Sequence, residues 1–172
     1  VLVIPEECAL WVKKQRPQGD YQKDLAEDFA AIEPHLPEEV SSILDIGCGM
    51  AGIDVYLKRK YPRATLWLLD GDADSFAKYG FRRNMAPYNS RAATGAMLKA
   101  NGVEYDRWID SGTTEKLEAD LIVSLISWGF HYPLDTYTVS GLCVADLRKR
   151  HEEPRGKIIT VAEKYNRCIF RC

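Results

Sequence analysis

The run Ile43-Leu44-Asp45-Ile46-Gly47-Cys48-Gly49-Met50-Ala51-Gly52 constrains this chain more than any other. A short apolar stretch leads straight into glycines, and Ile53 to Lys60 follows at helical spacing. These read, in order, as a buried strand, a tight turn that glycine permits, and a helix. The helix closes on Lys58-Arg59-Lys60, cations that suit the negative pole of its dipole, and Pro62 stops it. Thr65 to Leu69 is a second apolar strand ending at Asp70. Strand, helix and strand in this order make the unit of a parallel sheet.

The rest of the chain extends the pattern. Asp20 predicts a helix cap, with Tyr21, Leu25, Phe29 and Ile32 along one face and Pro34 and Pro37 ending the helix. Asn89 or Ser90 opens another helix, which Asn101-Gly102 closes. Val103 to Ile109 reads as a weaker strand and Leu121 to Ile126 as a strong one. Val139, Leu142, Cys143 and Leu147 mark a helix with a basic end at Arg148-Lys149-Arg150. Lys157 to Val161 and Arg167 to Phe170 read as two last strands, joined near Asn166 too tightly for a helical crossover. The expected architecture is α/β: a doubly wound, mostly parallel sheet with an antiparallel C-terminal edge hairpin. One domain spans 1–172, with an N-terminal helical segment over 1–40 and the core over 41–172. Ligands in such sheets bind beyond the carboxyl ends of the strands, which points to the loops after residues 46, 70, 109 and 125.

Composition narrows the function classes. At 172 residues, 46% hydrophobic and 28% charged, the chain suits one globular domain. A net charge of -2 gives no overall electrostatic case for nucleic acid or an anionic membrane. The five cysteines form no Cys-x-x-Cys pair and the three histidines supply no zinc spacing, so no metal is expected. An odd cysteine count without a framework fits a reducing, cytoplasmic setting. The apolar stretch from Leu121 to Phe130 is too short to span a bilayer. The opening residues, acidic from Glu6, do not read as a signal peptide.

Gly47, Gly49 and Gly52 also satisfy the spacing of a dinucleotide fingerprint, which on its own is weak. Asp45 discriminates, because a carboxylate two residues before the first glycine suits a cationic amino group and repels a pyrophosphate. With Asp45 in place, the segment resembles the first motif of class I S-adenosylmethionine-dependent methyltransferases, and the likeness runs loosely from Ile43 to Val161. That resemblance implies a Rossmann-like fold and S-adenosylmethionine as cofactor. It would set Asp45 against the methionine ammonium, and Gly47 and Gly49 beside the methionine and sulfonium portion. Asp70 would take both ribose hydroxyls, and Gly71 and Asp72 would flank the adenosine. Asp110, about ten residues before Asp120, is similar in spacing to the family's adenine-contacting acid. Ala51 stands where the family carries its third glycine, with Gly52 next.

Methyl transfer from a sulfonium needs alignment above all, and a base where the acceptor must lose a proton. The acceptor loop is expected in Ser124 to Pro133. It lacks the Asn/Asp-Pro-Pro-Tyr/Phe tetrad of nucleic-acid amino-methyltransferases and any Pro-Cys nucleophile. His131 is the candidate base, since imidazole titrates near neutrality, with a turn-stabilising role as its alternative. Trp128, Phe130 and Tyr132 are candidates to wall the pocket. Asp135 suits a cap equally well. The segment from Ser75 to Tyr88 interleaves aromatics with Lys78, Arg82 and Arg83. It suits an anionic acceptor, and by stacking and charge it also suits RNA. The expected function is methyl transfer to an oxygen or nitrogen of a small molecule, with a sugar among the acceptors. A non-catalytic S-adenosylmethionine-binding subunit and an RNA or DNA methyltransferase are the alternatives. No membrane partner is expected, and the oligomeric state is open.

Overall fold

A computed structural model describes residues 1–72, 89–129, 133–147, 159–162 and 167–172. Five parallel strands build the sheet: β1 (Ser42–Ile46), β2 (Thr65–Asp70), β3 (Arg107–Asp110), β4 (Leu117–Ser124) and β5 (Val139–Asp146). Two more, β6 (Ile159–Ala162) and β7 (Arg167–Arg171), pair antiparallel and complete the order β3-β2-β1-β4-β5-β7-β6. The expected hairpin is present, with β7 inserted between β5 and β6. Strands β1 and β4 lie near the middle of the sheet, and the apolar runs Ile43–Leu44 and Leu121–Val123 match burial on both faces.

Four α-helices are described: α1 (Ala9–Gln15), α2 (Tyr21–Ile32), α3 (Gly52–Lys60) and α4 (Arg91–Ala100). At α2 and α4 the caps are those the sequence predicts. Asp20 accepts from the backbone N–H groups of Gln22 (3.0 Å) and Lys23 (3.1 Å), and Ser90 accepts from Ala93 N–H (3.1 Å). Gly102, at φ +70°, takes the chain out of α4. All four pack on one face of the sheet, over Ile43, Leu66, Leu68, Leu121 and Val123. The opposite face holds Leu44, Ile46, Leu69, Ile122 and Cys143. Among the described residues Trp128, Leu134 and Tyr137 cover it, carried by the β4–β5 connection rather than by an α-helix. No described helix is long and apolar enough to cross a membrane.

The helix expected around Val139 to Leu147 is strand β5 instead. Val144 packs on the helical face, whereas Cys143 and Ala145 pack on the other, so the strand is apolar on both sides. A doubly buried strand loses its two-residue alternation, and a chance match to helical spacing then misleads. Gly141 supports the strand: a side chain there would overlap the Ala119 carbonyl of β4.

Candidate cofactor site

The glycine loop leaves β1 beside the end of β2. Gly47 N–H donates to Leu69 O (2.6 Å), and Ala51 N–H donates to Cys48 O (2.8 Å). Three residues of the loop take positive φ: Gly47 at +73°, Gly49 at +54° and Ala51 at +54°. A Cβ at Gly47 would overlap Ser127, and one at Gly49 would overlap the Gln15 amide. The alanine at 51 adopts a left-handed conformation that costs a non-glycine residue about 1 kcal/mol.

Asp70 ties the loop to the strand end. Its Oδ2 accepts from Gly49 N–H and its Oδ1 from Gly71 N–H, both at 2.7 Å. Each carboxylate oxygen carries two lone pairs, so acceptor capacity remains on both. The Gly49 carbonyl accepts from the Thr94 hydroxyl (2.7 Å) and the Asn89 amide (3.3 Å), which braces the loop against the start of α4. From the other side, the Tyr21 hydroxyl and the Leu25 side chain stand where a Cβ of Gly52 would go. The α1–α2 segment therefore closes over the loop.

The loop after β4 meets the same place. Buried Ser124 donates to Ile46 O (2.7 Å) and accepts from Trp128 N–H (2.8 Å), and the Ser127 hydroxyl reaches Gly47 O (3.5 Å). Ser124 thus joins the ends of β1 and β4 and shapes the turn. Ser124→Ala is expected to lower stability by about 1–3 kcal/mol, because two buried backbone groups lose a partner. Urea unfolding of the variant measures it.

Three acids surround the loop. Burial raises Asp70 to about 6 and Asp54 to about 7. Asp45 is pushed well above the usual carboxylate range, first by burial and then by Asp54 and Asp70. The Cys48 thiol is pushed up by burial and by all three acids, so it stays protonated and is no nucleophile.

The structure brings Asp45, Gly47, Gly49, Asp70 and Gly71 together. Asp72 lies just beyond, where its Oδ1 accepts from Arg91 N–H (3.1 Å) at the start of α4. Asp110 pairs in register with Asp70, but its exposed carboxylate accepts from Gly112 N–H (2.8 Å) and shapes its own turn. Asp120 holds Ser41 and Ser42 N–H (2.8 and 3.1 Å) ahead of β1, away from the strand ends. Trp128 is a correction to the pocket-wall expectation. It is buried in the core, its indole donates to Leu134 O (2.9 Å) and its ring packs on Phe170 at 6.0 Å. His131, Tyr132, Phe130, Lys78, Arg82 and Arg83 lie outside the described residues. The structure adds Ser124, Ser127, Asn89, Thr94 and Asp54, which the motif does not include. Only Asp54, an acid in the first turn after the glycines, carries a local signal in the sequence.

The strand order, the reversed β7 and the glycine loop at the end of β1 define the Rossmann-like fold of the S-adenosylmethionine-dependent methyltransferases. A Nostoc punctiforme protein designated an O-methyltransferase superposes with a TM-score of 0.50 at 12% identity, over 84% of this chain and 44% of its own. TomG of Streptomyces achromogenes, an O-methyltransferase of tomaymycin synthesis solved with S-adenosylmethionine, matches over 91% of this chain and 73% of its own. Its identity is 12% and its TM-score 0.46. CalS10 of Micromonospora echinaspora, an amino pentose methyltransferase, covers 95% of this chain and 66% of its own, at 14% identity and a TM-score of 0.45. This chain spans less than half the length of the Nostoc protein. No family model and no curated protein matches the sequence.

Proposed function

We propose that this chain binds S-adenosylmethionine and transfers its methyl group to an oxygen or nitrogen of a small-molecule acceptor. The observation that carries the proposal is the pair of acids on either side of one glycine loop: Asp45 ahead of it and Asp70 fastened to Gly49 across it. The residues present fit the cofactor. Gly47 and Gly49 carry the loop at positive φ past the end of β2, and Asp70 beside them has acceptor capacity for two hydroxyls. Asp45 would hold the methionine ammonium, Asp70 the ribose, and Gly71, Asp72 and Asp110 the adenosine end. When bound, the cofactor supplies a methyl group already activated on a cationic sulfur. This chain's own residues then orient both partners and exclude water.

The acceptor side belongs to the loop after β4, which Ser127 sets against Gly47. Within the proposal His131 removes the acceptor's proton, Tyr132 lines the acceptor, and Arg82 and Arg83 hold an anionic group on it. The Nostoc protein of the same fold is designated an O-methyltransferase, which is in keeping with an oxygen acceptor, and sugars belong among the hydroxylated candidates. Calorimetric titration with S-adenosylhomocysteine tests the cofactor half: micromolar binding is expected, and absence of heat with both donor and product forms overturns it. Turnover on a panel of small hydroxylated and amino acceptors tests the other half. His131→Ala is expected to lose most of that turnover while keeping cofactor affinity, and full turnover in the variant would remove the base assignment.

A further inference from the structure

Behind the glycine loop stands a second acid that the cofactor reading does not use. Asp54, in the first turn of α3, is 0% exposed, and no donor satisfies either of its carboxyl oxygens. The acid on which its charge bears most is Asp45, which is 3% exposed at the end of β1. Two neighbouring carboxyl groups this deeply buried, one of them without any donor, do not both ionise, so one of them carries a proton. Other titratable groups around them do not supply a counter-charge. Asp70 comes from β2, the protonated Cys48 from the loop and the neutral Tyr21 hydroxyl from α2. Arg16, whose charge is felt at Tyr21, faces Asp24 at 3.4 Å and Asp28 at 3.9 Å.

We infer that Asp45 and Asp54 hold one proton between them, and that Asp54 keeps it when a cationic amino group lies against Asp45. Resting on the cofactor reading above, this makes Asp54 the positioning residue of the ammonium site. The incoming cation stabilises the ionised form of the acid it touches, which is the slightly open Asp45. The fully enclosed Asp54 is then the neutral member and donates O–H to the Asp45 carboxylate. Such a charge-assisted bond fixes the orientation of the acceptor and leaves the outer Asp45 lone pairs for the ligand. Asp54 moves no proton to or from substrate.

The test uses the full chain and two variants. Asp54→Asn keeps a donor towards Asp45, whereas Asp54→Leu keeps volume and loses it. Calorimetry with S-adenosylhomocysteine is expected to find Asp54→Asn within about threefold of the parent and Asp54→Leu weakened by about tenfold or more. Infrared difference spectra at neutral pH should show the carbonyl stretch of a protonated carboxylic acid in the ligand-free parent and not in Asp54→Asn. Urea stability supplies a third readout. The folded pair holds its proton above the ordinary carboxylate range, while the unfolded chain releases it. Parent stability should therefore fall as pH rises from about 4 to about 7, and Asp54→Asn should flatten that slope.

Equal affinity in Asp54→Leu and the parent overturns the inference, and so does an infrared band that persists in Asp54→Asn. Should Asp54→Leu fail to fold, the remaining readouts decide: a missing band in the parent, or a large loss of affinity in Asp54→Asn, overturns it. The infrared and urea measurements need no ligand. A parent that shows the band but binds neither S-adenosylhomocysteine nor S-adenosylmethionine refutes the cofactor reading and the positioning role with it.

Discussion

Asp70→Ala is expected to weaken binding of S-adenosylhomocysteine by about a hundredfold or more, to the limit of calorimetric detection. Two losses combine. The variant removes the carboxylate proposed to take both ribose hydroxyls, and a hydrogen bond to a charged group contributes about 1.5–3 kcal/mol. It also removes the acceptor of Gly49 and Gly71 N–H, the two 2.7 Å bonds that hold the glycine loop against β2. Asp70→Asn separates these losses. The amide keeps one oxygen acceptor and the shape, so loop anchoring survives in part while the bidentate carboxylate is gone. An intermediate loss of affinity is expected, with thermal stability near that of the parent. Binding of Asp70→Ala within threefold of the parent would show that the ribose is held elsewhere.

Acidity should act through the same residue. Burial lifts Asp70 to about 6, above the ordinary carboxylate value, against the pull of Gly49 and Gly71 N–H. The ligand-binding form is the ionised one, so affinity should fall as pH drops below about 6. Titrations between about pH 5 and about pH 8 measure this, and the fall should be shallower in Asp70→Asn, where only the acids at the ammonium end still titrate.

Features carried by neighbours in the chain are legible in the sequence. The strand, turn and helix around Asp45 follow from apolar run, glycines and periodicity, and Asp20, Ser90 and Gly102 announce the ends of their helices. Features that depend on meeting across the fold are not. β5 is apolar on both sides because it lies between β4 and β7, and that double burial erases its alternation. Trp128 looks available because it sits in the expected loop, yet the same corner folds it into the core under Phe170. The ten-residue spacing to Asp120 singles out Asp110 as the candidate adenine-side acid. Asp120 lies within β4 beside the start of β1, where it binds backbone instead of facing the site. At the candidate site the acids and glycines are readable as a motif. The hydroxyls of Ser124, Ser127 and Thr94 that brace it are not, because small hydroxyl residues carry no signal until their partners are known.

Arg167→Met is expected to lower stability by about 3–5 kcal/mol, because it takes a shared cation from two buried carboxylates. Arg167 is 1% exposed at the start of β7. One guanidinium nitrogen donates to Asp146 Oδ2 (3.0 Å) and to the Leu125 carbonyl, and the other bonds Asp28 at 3.2 and 3.3 Å. Asp146 is 0% exposed and Asp28 4% exposed. The methionine fills the space but leaves both acids without this cation, which is the costly case for a buried ion network. Urea unfolding measures the loss. Adding Asp28→Asn and Asp146→Asn to Arg167→Met should recover a good part of it, since the cost lies in buried charges that lose this cation and not in the missing volume. Arg167→Lys should fall between, because an ammonium keeps the charge but cannot fork to three partners. The network also has a functional reach. It ties α2, which covers the glycine loop, to β5 and β7, and it holds the first residue of the turn that carries Ser127 to Gly47. In any Arg167 variant that still folds, the acceptor side should therefore loosen more than the cofactor side. Turnover would drop further than affinity for S-adenosylhomocysteine, and equal losses in both would mean that the network only stabilises the fold.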